Sequence, residues 1–407
     1  MGHDNSSYRA LWRTPHLPAL LASMALARLA ARMFSLALVL FVLARYASPT
    51  LAGWAIFAAV VPGLILSPIC GAVLDRVGPT VAVALDLAAS AVFTAMLAAA
   101  SWLGWADPTL LFILVILYSI TGPLGASGIR SLLPRMVPVE TLDRANALDT
   151  AIWAAVDVLG AALAGLCVAW LGPETTILLI AFVYAGAAMC LWRVPRLASL
   201  NTVSASLLLQ ALEGILIVAR QPTLRGLAIS YSLYQVTWGV LVVAIPVFAV
   251  QHFTADKAET ATGLLWAAAG LAGGLGALVA GHLRATGRER GIMLAGMTIS
   301  ALAAWPIAAE FGLAGLVIGL LILGALAGPI DVALLTLRQR RTDPRQFGRV
   351  LSISMSLNVA GYPIGSALAG MVIGGSLSMA FLLAGAAALL AALATVFIPR
   401  EPENAHS

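Results

Sequence analysis

Twelve apolar runs, each long enough to cross a lipid bilayer, fill most of this chain. They lie near 17–44, 50–74, 80–103, 108–131, 145–171 and 174–193. After a more polar interval they resume near 224–250, 260–283, 291–310, 312–337, 347–373 and 376–398. A helical crossing needs about 20 apolar residues, which every run supplies. Open strands cannot face hydrocarbon, and the ten-residue alternation of a membrane barrel is missing, so the runs are expected to be helices. With 61% hydrophobic and only 10% charged residues in 407, a water-soluble domain could not hide its apolar surface. The expected fold class is an all-α membrane protein of twelve transmembrane helices with no soluble domain.

The basic residues set the orientation. Of the 23, all but Lys257 are Arg, and with abundant Ala this bias points to a GC-rich bacterial genome. Placing the N-terminus inside puts nineteen of them on the cytoplasmic side, Arg76, Arg135, Arg288 and Arg341 among them. Only Arg45 and Lys257 fall outside, and Arg28 and Arg32 lie within the first run. Such asymmetry predicts a multi-pass protein of the bacterial cytoplasmic membrane with both termini cytoplasmic. The arginines follow loop topology and form no single basic face, so nucleic acid is not an expected partner. Cys70, Cys167 and Cys190 sit in apolar runs without paired spacing and read as small buried hydrophobes.

The two halves of the sequence repeat each other. Gly53, Ala58, Ala59, Gly63 and Gly71 recur as Gly263, Ala268, Ala269, Gly273 and Gly281, at a spacing of 210. Gly122-Pro123, Arg135 and Pro138 recur as Gly328-Pro329, Arg341 and Pro344, at a spacing of 206. The expected organisation is a six-helix bundle over 1–193, a cytoplasmic linker over 194–223 and a second pseudo-symmetric six-helix bundle over 224–407. Within the linker, Leu208, Leu212, Ile215 and Leu216 form one apolar stripe, which fits either an interfacial helix or a plain tether. Internal duplication of this kind places a transport site between the halves near mid-bilayer.

Charges inside the spans are the sharpest chemical signals, because each costs about 2.5–3.5 kcal/mol at a helix centre on insertion scales. Arg28 and Arg32 are one turn apart on the first helix. Asp149, Trp153 and Asp157 make an i, i+4, i+8 stripe on the fifth, with Asp157 the expected counter-charge to the arginines. Asp86 lies two turns into the third helix, and Asp331 two turns before the cluster Arg338, Arg340 and Arg341. These groups read either as cavity charges that exchange a proton or as fixed pairs that hold helices together. Tyr231, Tyr234, Gln235 and Trp238 form a stripe on helix seven, and Ser354, Asn358 and Tyr362 on helix eleven. Rings beside a few hydrogen-bonding groups suit an amphipathic substrate, and equally suit helix packing. Trp102, Trp105 and Trp170 fall at outer helix ends, as interfacial anchors do. Gly270, Gly273, Gly274, Gly276, Gly361, Gly365 and Gly370 are expected to permit close helix crossings.

Between the second and third runs stands Gly71-Ala-Val-Leu-Asp75-Arg76-Val-Gly78. It resembles the loop signature of the major facilitator superfamily. The resemblance implies a gating loop in which Gly71 allows close approach, Gly78 a tight turn, and Asp75 with Arg76 a charged latch against a helix end. Leu132-Leu133-Pro134, Pro138 and Ala145-Asn146-Ala147-Leu148, with Glu213-Gly214 and Arg220 later, look like the enterobactin-exporter and macrolide-efflux subgroup. Four departures count against that superfamily's standard proton-antiport route. Pro79 replaces a basic residue, Tyr118 stands where antiporters often carry Arg, and Gly160 to Gly165 lacks the Pro of the helix-five signature. The second copy of the loop, Gly281 to Gly287, has no Asp.

These readings imply a secondary active transporter working by alternating access, with proton-motive-force-dependent efflux of a small amphipathic compound, drug or siderophore-like. An importer or lipid flippase on the same fold is the alternative within transport, and a non-transporting receptor or assembly factor the alternative of another class. No nucleophile, metal or phosphate-loop arrangement occurs, and His3, His16, His252, His282 and His406 all fall at termini or loops, so an enzyme is not expected. Expected partners are the bilayer, a small-molecule substrate and protons, for a monomeric chain without a cofactor.

Overall fold

The computed structural model describes residues 14–138, 141–197, 215–282, 287–304, 312–341, 354 and 356–399. In chain order the long helices are α1 (Leu17–Tyr46), α2 (Pro49–Val77), α3 (Pro79–Trp102), α4 (Pro108–Met136), α5 (Leu142–Leu171) and α6 (Pro173–Trp192). The second set is α7 (Pro222–His252), α8 (Ala255–His282), α9 (Glu289–Leu302), α10 (Gly312–Arg341), α11 (Gly361–Ile373, helical from residue 356 apart from a turn at Ala360) and α12 (Leu377–Ala394). Eleven of these carry a stretch long and apolar enough to cross a membrane, and α9 is described over 14 residues. Most of the linker, 198–214, lies outside the described residues, and with it Leu208 and Leu212 of the apolar stripe, while Ile215 and Leu216 are described and exposed. Residues 215–220 are helical, with Val218 buried against Leu224 and Ala228.

Local chemistry sets the helix ends. Proline opens α2, α3, α4, α6 and α7, where its missing N–H removes a group that has no helical partner anyway. The carboxylate of Asp107 caps α4 by accepting from the Leu110 backbone N–H at 2.7 Å. The links α2–α3 and α5–α6 are single glycines, Gly78 (φ 83°) and Gly172 (φ 82°), each followed by proline. Only glycine holds that backbone region without strain, so one residue reverses the chain. The prolines inside α4 (Pro123) and α10 (Pro329) occupy equivalent places in the two halves.

Two compact units emerge. The first joins the residues up to Ala44 with Ala58–Leu207, and the second joins Arg45–Phe57 with Leu208 onward. In the first, α3 packs on α4 and α6. Ser23 of α1 donates to the Ala187 carbonyl of α6 at 2.8 Å, and Ser119 of α4 accepts from the Gly63 N–H of α2 at 3.0 Å. In the second, α7 is flanked by α11 and α12, and α8 packs along α10. The start of α2 belongs here: Thr50 donates to the Gly370 carbonyl at 2.8 Å and Ser366 to the Gly53 carbonyl at 3.2 Å. The leading helix of each set is the most enclosed, α1 with 61% of its span buried and α7 with 72%. Outward faces stay apolar, as in the α8 stripe Leu264, Leu271, Leu275 and Leu278, which suits a hydrocarbon solvent and no other. Trp102, Trp105 and Trp170 are exposed at helix ends, where interfacial anchors stand.

Without a hydrophobic drive between helices in lipid, close contact must come from small residues. The α7–α11 seam is built this way. A Cβ on Gly239, Gly361 or Gly365 would strike the carbonyls of Tyr362, Ser232 and Val236 respectively. Gly274 on α8 differs, since a Cβ there meets nothing within 4 Å.

Two outcomes follow from this architecture. Gly365→Val should destabilise the detergent-purified protein by about 1–3 kcal/mol, because a backbone carbonyl cannot step aside. Gly274→Ala should be neutral or stabilising by up to about 1 kcal/mol. Thermal unfolding of both variants checks the contrast. In a cysteine-free background, Cys at Lys257 should react with an impermeant maleimide on intact cells, whereas Cys at Arg76 should react only after lysis. The reverse pattern would invert the topology.

Candidate transport site

In the first unit the intramembrane charges of α1 and α5 meet in register. Arg28 Nη1 lies 2.6 Å from Asp149 Oδ1 and also reaches the Asp149 carbonyl at 3.4 Å. Arg32 Nε lies 3.3 Å from Asp157 Oδ1. Between these rungs the Arg28 guanidinium sits over the Trp153 ring, 5.3 Å from its centroid. One turn on α1 is thus matched by two turns on α5, with the indole filling the gap. The expected pairing of both arginines with Asp157 resolves into two separate pairs, and Asp149 takes the first.

The rungs differ in enclosure. The Arg28 and Asp149 side chains are 15% and 25% exposed, against 36% and 43% for Arg32 and Asp157. Gly160 explains how α1 comes so near α5, because a Cβ there would stand 2.8 Å from Arg32 Cβ and Cγ. The sequence presented Gly160 only as part of an incomplete motif, so this role was not visible. Arg130 of α4 lies within electrostatic range of both Arg28 and Asp149, a neighbour that linear spacing gave no reason to expect.

Asp86 stands apart from this ladder. The Ser90 and Thr121 hydroxyls approach its carboxyl, while Oδ1 is buried without a hydrogen-bond partner. Its other oxygen occupies the space that a side chain at Gly125 would fill, so α3 and α4 are shaped around the group. Tyr118 shares a 2.6 Å hydroxyl contact with Tyr184 of α6, and its ring packs on Phe34 of α1 at 4.5 Å. Three helices therefore converge on Tyr118, one of the departures from the antiporter pattern.

In the second unit, Tyr231 donates to Asp331 Oδ1 at 2.6 Å, tying α7 to α10. A ladder of rings continues along α7, with centroids 6.1 Å apart from Tyr231 to Tyr234 and 6.4 Å from Tyr234 to Trp238. It crosses to Trp266 of α8 at 6.0 Å. Tyr234 is enclosed in a core with Met293, Met297 and Ile330, whereas Tyr231, Gln235 and Trp238 are half-buried. Ser354 and Asn358 are buried, and Asn358, with its amide turned to satisfy both groups, accepts from Arg338 Nη2 at 2.5 Å. Tyr362 is half-buried, its carbonyl facing Gly239.

In the loop between α2 and α3, Gly78 makes the expected reversal and Arg76 is exposed. A Cβ on Gly71 would meet nothing within 4 Å, so no close crossing depends on it here. The Asp75 side chain lies outside the described atoms. Among the described residues no three His, Cys, Asp or Glu side chains gather as a metal set.

Comparison with known proteins places this arrangement in a family. The sequence profile of the Major Facilitator Superfamily matches residues 20–231 and 227–407. The chain is 60% identical over 393 residues to the uncharacterized MFS-type transporter y4rN of Sinorhizobium fredii (strain NBRC 101917 / NGR234), covering 97% of each protein. It is 28% identical over 357 residues to the multidrug efflux pump Tap of Mycolicibacterium fortuitum, covering 84% of this chain and 86% of that one. The crystal structure of the nucleoside transporter NupG superposes with a TM-score of 0.74 at 12% identity, covering 94% of this chain and 99% of that one, a likeness of fold alone. The charged and aromatic ladders are thus carried by a multi-pass membrane transporter, not an enzyme, and the chain belongs to the Major Facilitator Superfamily.

Proposed function

We propose that this transporter exports a small amphipathic compound by alternating access, drawing on the proton gradient, with Asp157 as a coupling group. The observation that carries this reading is the ladder Arg28–Asp149, Trp153, Arg32–Asp157. Four charges kept inside membrane spans carry a standing insertion cost, which a purely structural contact between two helices does not require. The similarity to a protein described as a multidrug efflux pump supports the outward direction and the amphipathic substrate.

The two rungs divide the labour. Arg28–Asp149 is short and mostly enclosed, which suits an anchor that holds α1 against α5. Arg32–Asp157 is longer and more open, so its carboxylate can exchange partners with water, a proton or substrate without stranding a buried charge. Trp153, half-exposed beside the anchor, offers an aromatic face for an organic substrate.

Cells carrying the gene should accumulate less of an amphipathic fluorescent dye than cells lacking it, and a protonophore should erase the difference. Asp157→Asn should cut the gradient-driven flux at least tenfold while leaving protein level and thermal stability near wild type. Asp149→Asn should instead lower stability by about 1–3 kcal/mol, the cost of leaving Arg28 uncompensated in a mostly enclosed place. Undiminished proton-driven flux in Asp157→Asn removes that residue from coupling. Greater accumulation with the gene present points to import and overturns the export reading.

A further inference from the structure

Three arginines close α10, and they are not served alike. Arg340 Nη1 meets the buried carboxylate of Glu289 at 3.2 Å. Arg341 Nη1 donates to the Thr223 hydroxyl at 3.3 Å, and its carbonyl accepts from the Gln221 amide. Arg338 is the most enclosed of the three, only 2% exposed, yet no carboxylate faces it among the described residues. Its hydrogen-bond partner is the neutral amide of Asn358, and its Nε has none. Four residues before Asn358, Ser354 is fully buried and its Oγ also lacks a partner. The carboxylate two turns back on α10, that of Asp331, already accepts from Tyr231.

A guanidinium in low dielectric is costly unless an opposite charge answers it, and a carboxamide dipole is a weak answer. Nη2 is already engaged by Asn358, so the unused donor is Nε–H, a charged N–H suited to one oxygen of a carboxylate or phosphate. The unpartnered Ser354 hydroxyl adds a neutral donor on a neighbouring segment. Asn358, which donates to the Ser354 carbonyl at 3.1 Å and accepts from Arg338, holds the two groups together, so an oxyanion would find charge and orientation at one place. Two buried donors, Arg338 Nε–H and the Ser354 hydroxyl, stand unused, and no carboxylate among the described residues pairs with them.

We infer that Arg338, Ser354 and Asn358 form an oxyanion-binding site in the second unit, taking the carboxylate or phosphate group of an acidic amphipathic ligand. That chemistry is shared by a free organic acid and by an anionic phospholipid headgroup. The site concerns binding and stands independently of export or proton coupling.

The test uses the purified full-length protein in neutral detergent and a chloride buffer of fixed ionic strength. Thermal unfolding is followed against added benzoate, inorganic phosphate, phosphatidylglycerol and, as a neutral control, phosphatidylcholine. A saturable rise of several degrees with benzoate or phosphate supports the site and assigns it to free oxyanions. A rise with phosphatidylglycerol alone supports the site and assigns it to a lipid headgroup. In either case Arg338→Gln should abolish the response while keeping or raising stability in chloride, because it removes an unanswered charge. Ser354→Ala should weaken the response about tenfold, the loss of one hydrogen bond to a charged group. It also keeps the test decisive should Arg338→Gln fail to fold. An unchanged response in Arg338→Gln, or in Ser354→Ala where Arg338→Gln does not fold, overturns the site. No response to any anion also overturns it, and lower stability of Arg338→Gln would then show that this chain supplies its own counter-charge.

Discussion

Lipid as solvent is the constraint from which the rest of this structure follows. Backbone groups in hydrocarbon must be satisfied within their own segment, so the spans are helical. The same solvent removes the usual drive to bury leucine, since an apolar side chain gains nothing by leaving one hydrocarbon for another. Helices then adhere through close backbone approach and polar contacts. The glycines along α7–α11 and the serine and threonine hydroxyls donating to carbonyls of neighbouring helices are how this chain answers that requirement.

Charge is governed by the same solvent in the opposite sense. Water-facing arginines cost little and gather in alternate loops, while the few charged groups at membrane depth are placed with partners. Arg28 and Arg32 each have a carboxylate, and Arg28 an indole as well. Asp331 has a phenol and Asp86 two hydroxyls. At the end of α10, Arg338 is buried yet meets an amide in place of an anion among the described residues. A placement of this kind is informative because the energetic pressure against it is large.

The halves are related but not equivalent in what they hold. The first unit concentrates opposite charges between α1 and α5, and the second aligns aromatic rings along α7 and α8. A duplicated scaffold keeps its proline and glycine positions, which serve packing common to both copies. Its polar residues diverge, as the charged pairs of the first unit and the ring ladder of the second show. The loop after α2 shows the same drift, since Asp75 has no counterpart in the second copy.

By itself the sequence determined the number and ends of the spans, the repeat, the bias of arginine toward alternate loops and the short set of charged residues at membrane depth. These are one-dimensional properties: hydrophobic length, proline and glycine punctuation, and residue identity. Helical periodicity also placed Arg28 with Arg32, and Asp149 with Trp153 and Asp157, on common faces. Only the tertiary structure decided which carboxylate meets which arginine, because spacing fixes a face but not the rotation or height of the helix opposite. It likewise decided that Gly160 seats Arg32, that Arg45–Phe57 packs with the second unit and that Arg338 meets an amide. Each depends on residues more than a turn apart in sequence, brought together by helix packing that the linear pattern leaves free.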